Sequence, residues 1–378
     1  MKFPIYLVLV LLAALVTSFG QAPVTPATPL SIPFELVSNT ILVRVGIKGA
    51  APTWFVLDSG ASACVVDSAL ATKLGLKAEG EKQGTGAGKG TVKISFLKAL
   101  SYNLSGIDVP IDESYVIDLS GQPALLGRDV GGILGYSFFA RYVVDVDFDA
   151  RVLTIYRPEQ YHAEGESVPF RLVKHTPYIH AKVAVAGRPP VDLEVLVDSG
   201  SQDAIDVDAL GESPDRLEVI GGVGLGQEFR TVLARADSVQ IGPFVLSHPF
   251  GATGGVSLIG NEILRRFHVA FDYPHEKIFL SPGQHFSDPF QLDASGLDLR
   301  WDSGLASFDI HDVGKDSAAW IAGIRPKDTL TAINGQVASA FTMEQVSQLL
   351  TEAGREIWLT VKHGTTTQVV KVTLRKRL

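Results

Sequence analysis

Two aspartates lie at the ends of apolar runs, where a buried strand has no ordinary use for a charge. "WFVLDSGAS", Trp54 to Ser62, runs into Asp58, and "LEVLVDSGS", Leu193 to Ser201, runs into Asp198. Two carboxylates held close together cannot both ionise, so one keeps a proton while the other stays charged. Such a pair can take a proton from a bridging water and give one to the carbonyl oxygen that the water attacks. The arrangement needs mirrored, rigid turns with no side chain in the way. Gly60 and Gly200 let the two backbones approach, and Ser59 and Ser199 can hydrogen-bond across and lock the turns.

The elements that must position these aspartates repeat along the chain. "ILVRVGIKG" (Ile41 to Gly49), a turn at "AAPT" and "WFVLDSG" read as a β-hairpin; so do "YIHAKVAVAG" (Tyr178 to Gly187), "RPPV" and "LEVLVDSG". A glycine-rich stretch follows in each copy: "GTGAGKG" with Gly84, Gly86 and Gly88, and "GGVGLGQ" with Gly222, Gly224 and Gly226. Each copy closes on a hydrophobic pair and a glycine, Ile133-Leu134-Gly135 and Leu258-Ile259-Gly260, then an Arg and an alternating run, "VVDVDFD" or "HVAFDYP". The shared order of four elements predicts a duplicated, two-lobed body. The glycine-rich stretches read as hairpin tips that move over a cleft, since glycine tolerates the backbone angles and close approach this needs. A plain surface hairpin is the alternative.

Composition narrows the rest. The chain has 378 residues, 46% hydrophobic, enough for two or three domains. Its 33 Lys and Arg against 41 Asp and Glu leave a net charge of −8 and no basic cluster, which argues against a nucleic-acid partner. A P-loop would place glycine where Gln83 stands and Ser or Thr where Gly90 stands. Gly-x-Ser-x-Gly and His-Glu-x-x-His do not occur, so serine-hydrolase and zincin chemistry lack their residues. Cys64 is the single cysteine, so no intrachain disulfide can form, and it reads as a small buried apolar side chain. Lys2 and the apolar run Ile5 to Val16 read as a signal peptide ending before Gln21, too short for a bilayer span. An uncleaved signal would leave the protein membrane-tethered. A proline-rich leader, "QAPVTPATPLSIP", follows.

The ordered set of motifs resembles the aspartic peptidases over roughly Phe34 to Phe286. The resemblance implies that Asp58 and Asp198 are the catalytic pair, supported by Ser59, Gly60, Ser199, Gly200 and Ser201. It makes the glycine-rich hairpins substrate flaps, although neither carries the tyrosine of pepsin-like flaps, and it calls for no metal or organic cofactor. In pepsin-like relatives a hydroxyl three residues past the aspartate bonds that aspartate. Ala61 and Ser201 stand there, so the expectation is charge on Asp198 and the proton on Asp58. A third "DSG", Asp302 to Gly304, has a charged lead-in and no matching hairpin, and reads as a decoy.

From Gln291 the pattern changes. Thr342 and Gln345 form a capping box before an amphipathic helix. "SAAWIAGIRPKDTLTAING" and the segments around it resemble a PDZ domain of the bacterial type. That resemblance implies a groove for C-terminal peptides built from Gly296, Leu297, Asp298, Leu299, Met343, Val346 and Leu350.

The expectation is therefore an all-β, bilobal aspartic-peptidase double barrel followed by a small α+β PDZ domain. Its parts are a signal peptide (1–20), a leader (21–33), two lobes (34–165 and 166–290) and the PDZ domain (291–378). It implies an exported bacterial protein, periplasmic or secreted, that cleaves peptide or protein substrates and has no membrane span after signal cleavage. An inactive peptide-binding scaffold derived from such an enzyme is the alternative.

Overall fold

The computed structural model describes residues 29–84, 91–220 and 230–378. The segment 1–28, and with it Gly86, Gly88, Gly222, Gly224 and Gly226, lies outside the described residues. The protein is mostly β, 50% strand against 13% helix, as the alternating patterns require.

In the first lobe Thr40–Ile47 and Thr53–Leu57 form the expected hairpin. Thr53–Leu57 then runs parallel to Val130–Leu134, which pairs with Cys64–Asp67. That strand lies parallel to Ile107–Ile117, itself a hairpin with Val92–Leu104. Gly46 and Ile47 pair with Asn103 and Tyr102, closing a six-stranded barrel. Its interior holds Val43, Val45, Phe55, Leu57 and Tyr102, all fully buried. Cys64 is buried too, as read from sequence, and burial pushes its thiol up to about 12, which keeps it from acting as a nucleophile.

The second lobe repeats the plan. Thr176–Ala184 and Val191–Val197 pair, and Val191–Val197 runs parallel to Leu258–Ile259, which pairs with Ile205–Asp206. Where the first lobe has long strands, this one has shorter pieces: Arg230–Arg235, Ser238–Ile241, Phe244–Ser247 and Phe250–Ala252.

A sheet shared by both lobes joins them. Glu166–Pro169, Lys277–Pro282, Phe267–Asp272, Val143–Asp147, Val152–Tyr156 and Leu30–Val37 lie side by side in that order. At its centre Val144 pairs with Phe271, Asp145 with Ala270 and Val146 with Val269. Aligning the two alternating runs on their shared Arg makes Asp145 the counterpart of Ala270, so counterparts face each other across a local twofold axis.

The last domain is a separate sheet, Leu297–Asp302, Ser307–Val313, Thr329–Ile333, Glu356–His363 and Thr366–Thr373 in order, with its own core around Phe308, Leu330, Val346 and Leu359. The capping box closes as expected: Thr342 Oγ1 accepts from Gln345 N–H at 3.2 Å, and Gln345 Oε1 accepts from Thr342 N–H at 2.9 Å.

Candidate active site

Each Asp-Ser-Gly turn hangs from the strand beside it. Asp58 N–H donates to Leu134 C=O at 3.0 Å and Asp198 N–H to Ile259 C=O at 2.9 Å. The hydrophobic pairs read from sequence thus lie directly behind the two aspartates. Tyr136 N–H to Ala61 C=O (3.0 Å) and Asn261 N–H to Ser201 C=O (2.9 Å) secure the far side of each turn.

Two serines clamp the turns together. Ser59 Oγ accepts from Ser199 N–H at 2.9 Å and donates to Val197 C=O at 2.7 Å. Ser199 Oγ accepts from Ser59 N–H at 2.9 Å and donates to Leu57 C=O at 3.0 Å. Both serines are fully buried, so these four bonds are shielded from competing solvent. The clamp presses each carboxyl against the opposite glycine. A Cβ on Gly60 would lie 2.7 Å from Asp198 Cγ, and one on Gly200 2.4 Å from Asp58 Cγ. Any side chain at either glycine would drive the aspartates apart.

Sequence brought these six residues forward, and the structure places them together. The two buried carboxyls interact, and both are held above the ordinary carboxylate range. Burial, then the charge of Asp198, holds Asp58 well above the ordinary carboxylate range. Burial also raises Asp198, but the N–H of Gly200, 2.8 Å from Oδ1, the proton of Asp58 and the N–H of Ser201 oppose it. Both carboxyls are raised, Asp58 the more strongly, and the donors that hold Asp198 down are backbone N–H groups rather than the expected hydroxyl. Ser201 Oγ accepts from Asp203 N–H at 3.3 Å and packs against Gly260, so the Ser201 hydroxyl does not serve Asp198; backbone N–H groups do.

Several residues of the site were not read from sequence. Tyr273 is fully buried and donates from its hydroxyl to Ser59 C=O at 2.8 Å. It stands where the first copy has Phe148, so the second lobe supports the first lobe's turn with a bond that is not returned. Asn261 Nδ2 bridges Ser199 C=O (2.6 Å) and Asn39 C=O (2.7 Å). Asn39 reaches over from the first lobe to Glu262 Oε2 (2.9 Å) and Gln202 C=O (3.1 Å). The matching turn of the second lobe, at His175, stacks its ring on Tyr136 at 4.1 Å. The signal was present: "FELVSNT" and "FRLVKHT" are the same element, one step before the point at which the repeat was read. Asp203, five residues past Asp198, is pushed up to about 6 by burial and by the charges of Asp206 and Asp198. Asp206 reaches about 6 by burial, which the Gly255 N–H partly offsets.

The remaining predicted positions lie elsewhere. Gly84 ends the strand Glu79–Gly84, packed on Ile94. Asp302 Oδ1 accepts from Gly304 N–H (2.8 Å) and Leu305 N–H (3.1 Å), the turn cap expected of a decoy. In the last domain Val346 and Leu350 point into the core, 0% and 2% exposed, while Leu297, Leu299 and Met343 are partly exposed around it. Asp298 pairs with Arg300 at 3.0 Å. Gly296 N–H donates to Asp293 Oδ1 at 2.6 Å and Leu297 N–H to Ser295 Oγ at 3.0 Å, so two donors of the expected carboxylate loop are engaged by their own neighbours. No group of three or more His, Cys, Asp or Glu placed to hold a metal occurs among the described residues.

A family model described as aspartyl protease matches residues 43–138, which span Asp58 and Gly135. A PDZ domain model matches residues 310–363. No curated protein matches the chain. An aspartyl protease-like domain and a PDZ domain are therefore both present.

Proposed function

We propose that the protein is an aspartic endopeptidase in which Asp58 and Asp198 activate one water. The observation that carries this reading is the reciprocal serine clamp, which holds each carboxyl against the other lobe's glycine. Charged Asp198 takes a proton from the water, whose oxygen attacks the peptide carbonyl. Asp58 gives its proton to the carbonyl oxygen, forming a tetrahedral diol. Collapse of the diol returns a proton to the amide nitrogen, breaks the C–N bond and leaves an acid and an amine. The stronger upward push on Asp58, from burial and the charge of Asp198, supports this division of labour. The N-terminal sequence supports export to a periplasmic or extracellular setting.

The test is hydrolysis of an internally quenched peptide library by wild type, Asp58→Asn and Asp198→Asn. Wild type cleaves; each variant folds and loses activity by on the order of 10³-fold or more. Asp302→Asn keeps full turnover. A wild type that binds library peptides and cleaves none would instead establish the inactive scaffold.

A further inference from the structure

The PDZ resemblance implies a peptide groove between the strand Leu297–Asp302 and the helix Met343–Leu349. That strand pairs on one side with Ser307–Val313 and, among the described residues, with no other strand. A peptide added there would lie along the free edge. The short helix Gln122–Leu126 of the first lobe packs against Leu297–Asp302. A Cβ at Gly127, just past that helix, would lie 3.8 Å from Trp301 Cγ and 3.9 Å from its Cβ. On the other wall Met343 packs both into its own domain's core and into a first-lobe cluster with Leu119, Leu125 and Leu126. Arg151 and Glu344 add an ion pair at 3.0 Å beside it. The first lobe thus touches both elements by different segments, Gln122–Leu126 against the strand and Leu30–Val37 against the helix, while Asp293 holds the first donor of the carboxylate loop.

We propose that the PDZ groove is occupied in cis by the Gln122–Leu126 segment, and that a peptide or protein with a free, apolar C-terminus binds there only by displacing it. A ligand and the segment then compete, and the affinity observed is the intrinsic one reduced by the fraction of molecules with an open groove. The displaced segment is not inert. The first-lobe cluster that receives Met343 also contains Val92 and Ile94, on the strand that follows the first glycine-rich stretch, and Ala61 in the turn of Asp58. Occupancy of the groove is thereby tied to the packing beneath the dyad.

The experiment is a reversible lock in the full chain, Gly127→Cys with Trp301→Cys, whose Cβ separation suits a disulfide. Cys64 is buried and does not compete. Binding is read by fluorescence anisotropy with labelled peptides carrying four degenerate C-terminal positions, as free acids and as amides. This readout needs no hydrolysis, so it is independent of the dyad's activity. The reduced protein is expected to bind the free-acid pool at least tenfold more tightly than the oxidised one, and to discriminate against the amides. Leu125→Ser, which weakens the segment from outside the PDZ domain, is expected to tighten binding several-fold over wild type. Failure of the disulfide to form, equal binding by reduced and oxidised protein, or no binding by any form including Leu125→Ser would each overturn the proposal.

Discussion

Ser59 and Ser199 each both accept and donate across the lobes, and every group they serve is out of reach of solvent. Ser199→Ala leaves Ser59 N–H without its acceptor and Leu57 C=O without its donor. An unmet buried group is expected to cost about 1–3 kcal/mol, and the turns would separate besides. Chemical denaturation should show that loss together with reduced peptide hydrolysis, and Ser199→Thr, which keeps the hydroxyl, should restore most of both. Nearby, Asp203 and Asp206 carry pKa values pushed up to about 6 from an ordinary 3.8. Between those values the folded protein binds more protons than the unfolded chain, so stability falls as pH rises from about 4 to about 6 and levels off above. Melting temperatures across that window should trace the fall, and Asp203→Asn should flatten part of it. A Tm that rises through the window would contradict the assignment.

At the scale of elements, the two hairpin turns that reach across the lobes form the least obvious feature. Ser38 and Asn39, and Lys174 and His175, all have φ between 47° and 75°, the left-handed pair that a two-residue hairpin turn requires. Asn39 then extends its amide to Glu262 and Gln202 of the other lobe. Asn39→Gly keeps the backbone and removes those bonds, an expected loss of about 1 kcal/mol. Asn39→Ala should lose about 1 kcal/mol more, because alanine resists that φ; the two denaturation midpoints separate the contributions. The strands, the paired aspartates, their serines and the bracing Leu-Gly and Ile-Gly were legible because strand alternation and turn chemistry are local. What Asn39, Tyr273 and Asn261 touch was not, since each bonds a residue more than 60 positions away and its type is unremarkable in its own segment. The hydroxyl of Ser201 was misassigned for a related reason: sequence places it three residues past the aspartate, but backbone geometry turns it toward Asp203.

For the whole molecule, one buried cation bears on where the body ends and the last domain begins. Arg266 is 1% exposed, pairs with Glu262 at 3.0 Å and lies 3.6 Å from the ring centroid of Phe290. It also donates to the carbonyls of His285 and Asp288. These contacts tie the stretch His285 to Phe290 to Arg266 of the second lobe, and we propose that the boundary falls just after it. A chain ending at Phe290 should fold and keep its dyad; one ending at Gln284 leaves Arg266 its Glu262 partner but removes its two carbonyl acceptors and the Phe290 ring, and should lose about 1–3 kcal/mol. Circular dichroism melts of the two truncations make the comparison directly.

The serine clamp also sets a schedule. Ser59 and Ser199 are 140 residues apart, and the shared sheet is completed only by Lys277–Pro282. During synthesis the first barrel can close as soon as Val130–Leu134 has emerged, long before its aspartate has a partner. A lone Asp58 has neither a second carboxyl to share its proton nor the serine that fixes its turn. The nascent chain therefore carries half a site, and on the proposed reading the pair is assembled late, when the second lobe docks. Contacts this distant in sequence form slowly. If the pair hydrolyses peptides as proposed, the delay keeps the unfinished molecule harmless to itself and to its neighbours until nearly the whole body has been made.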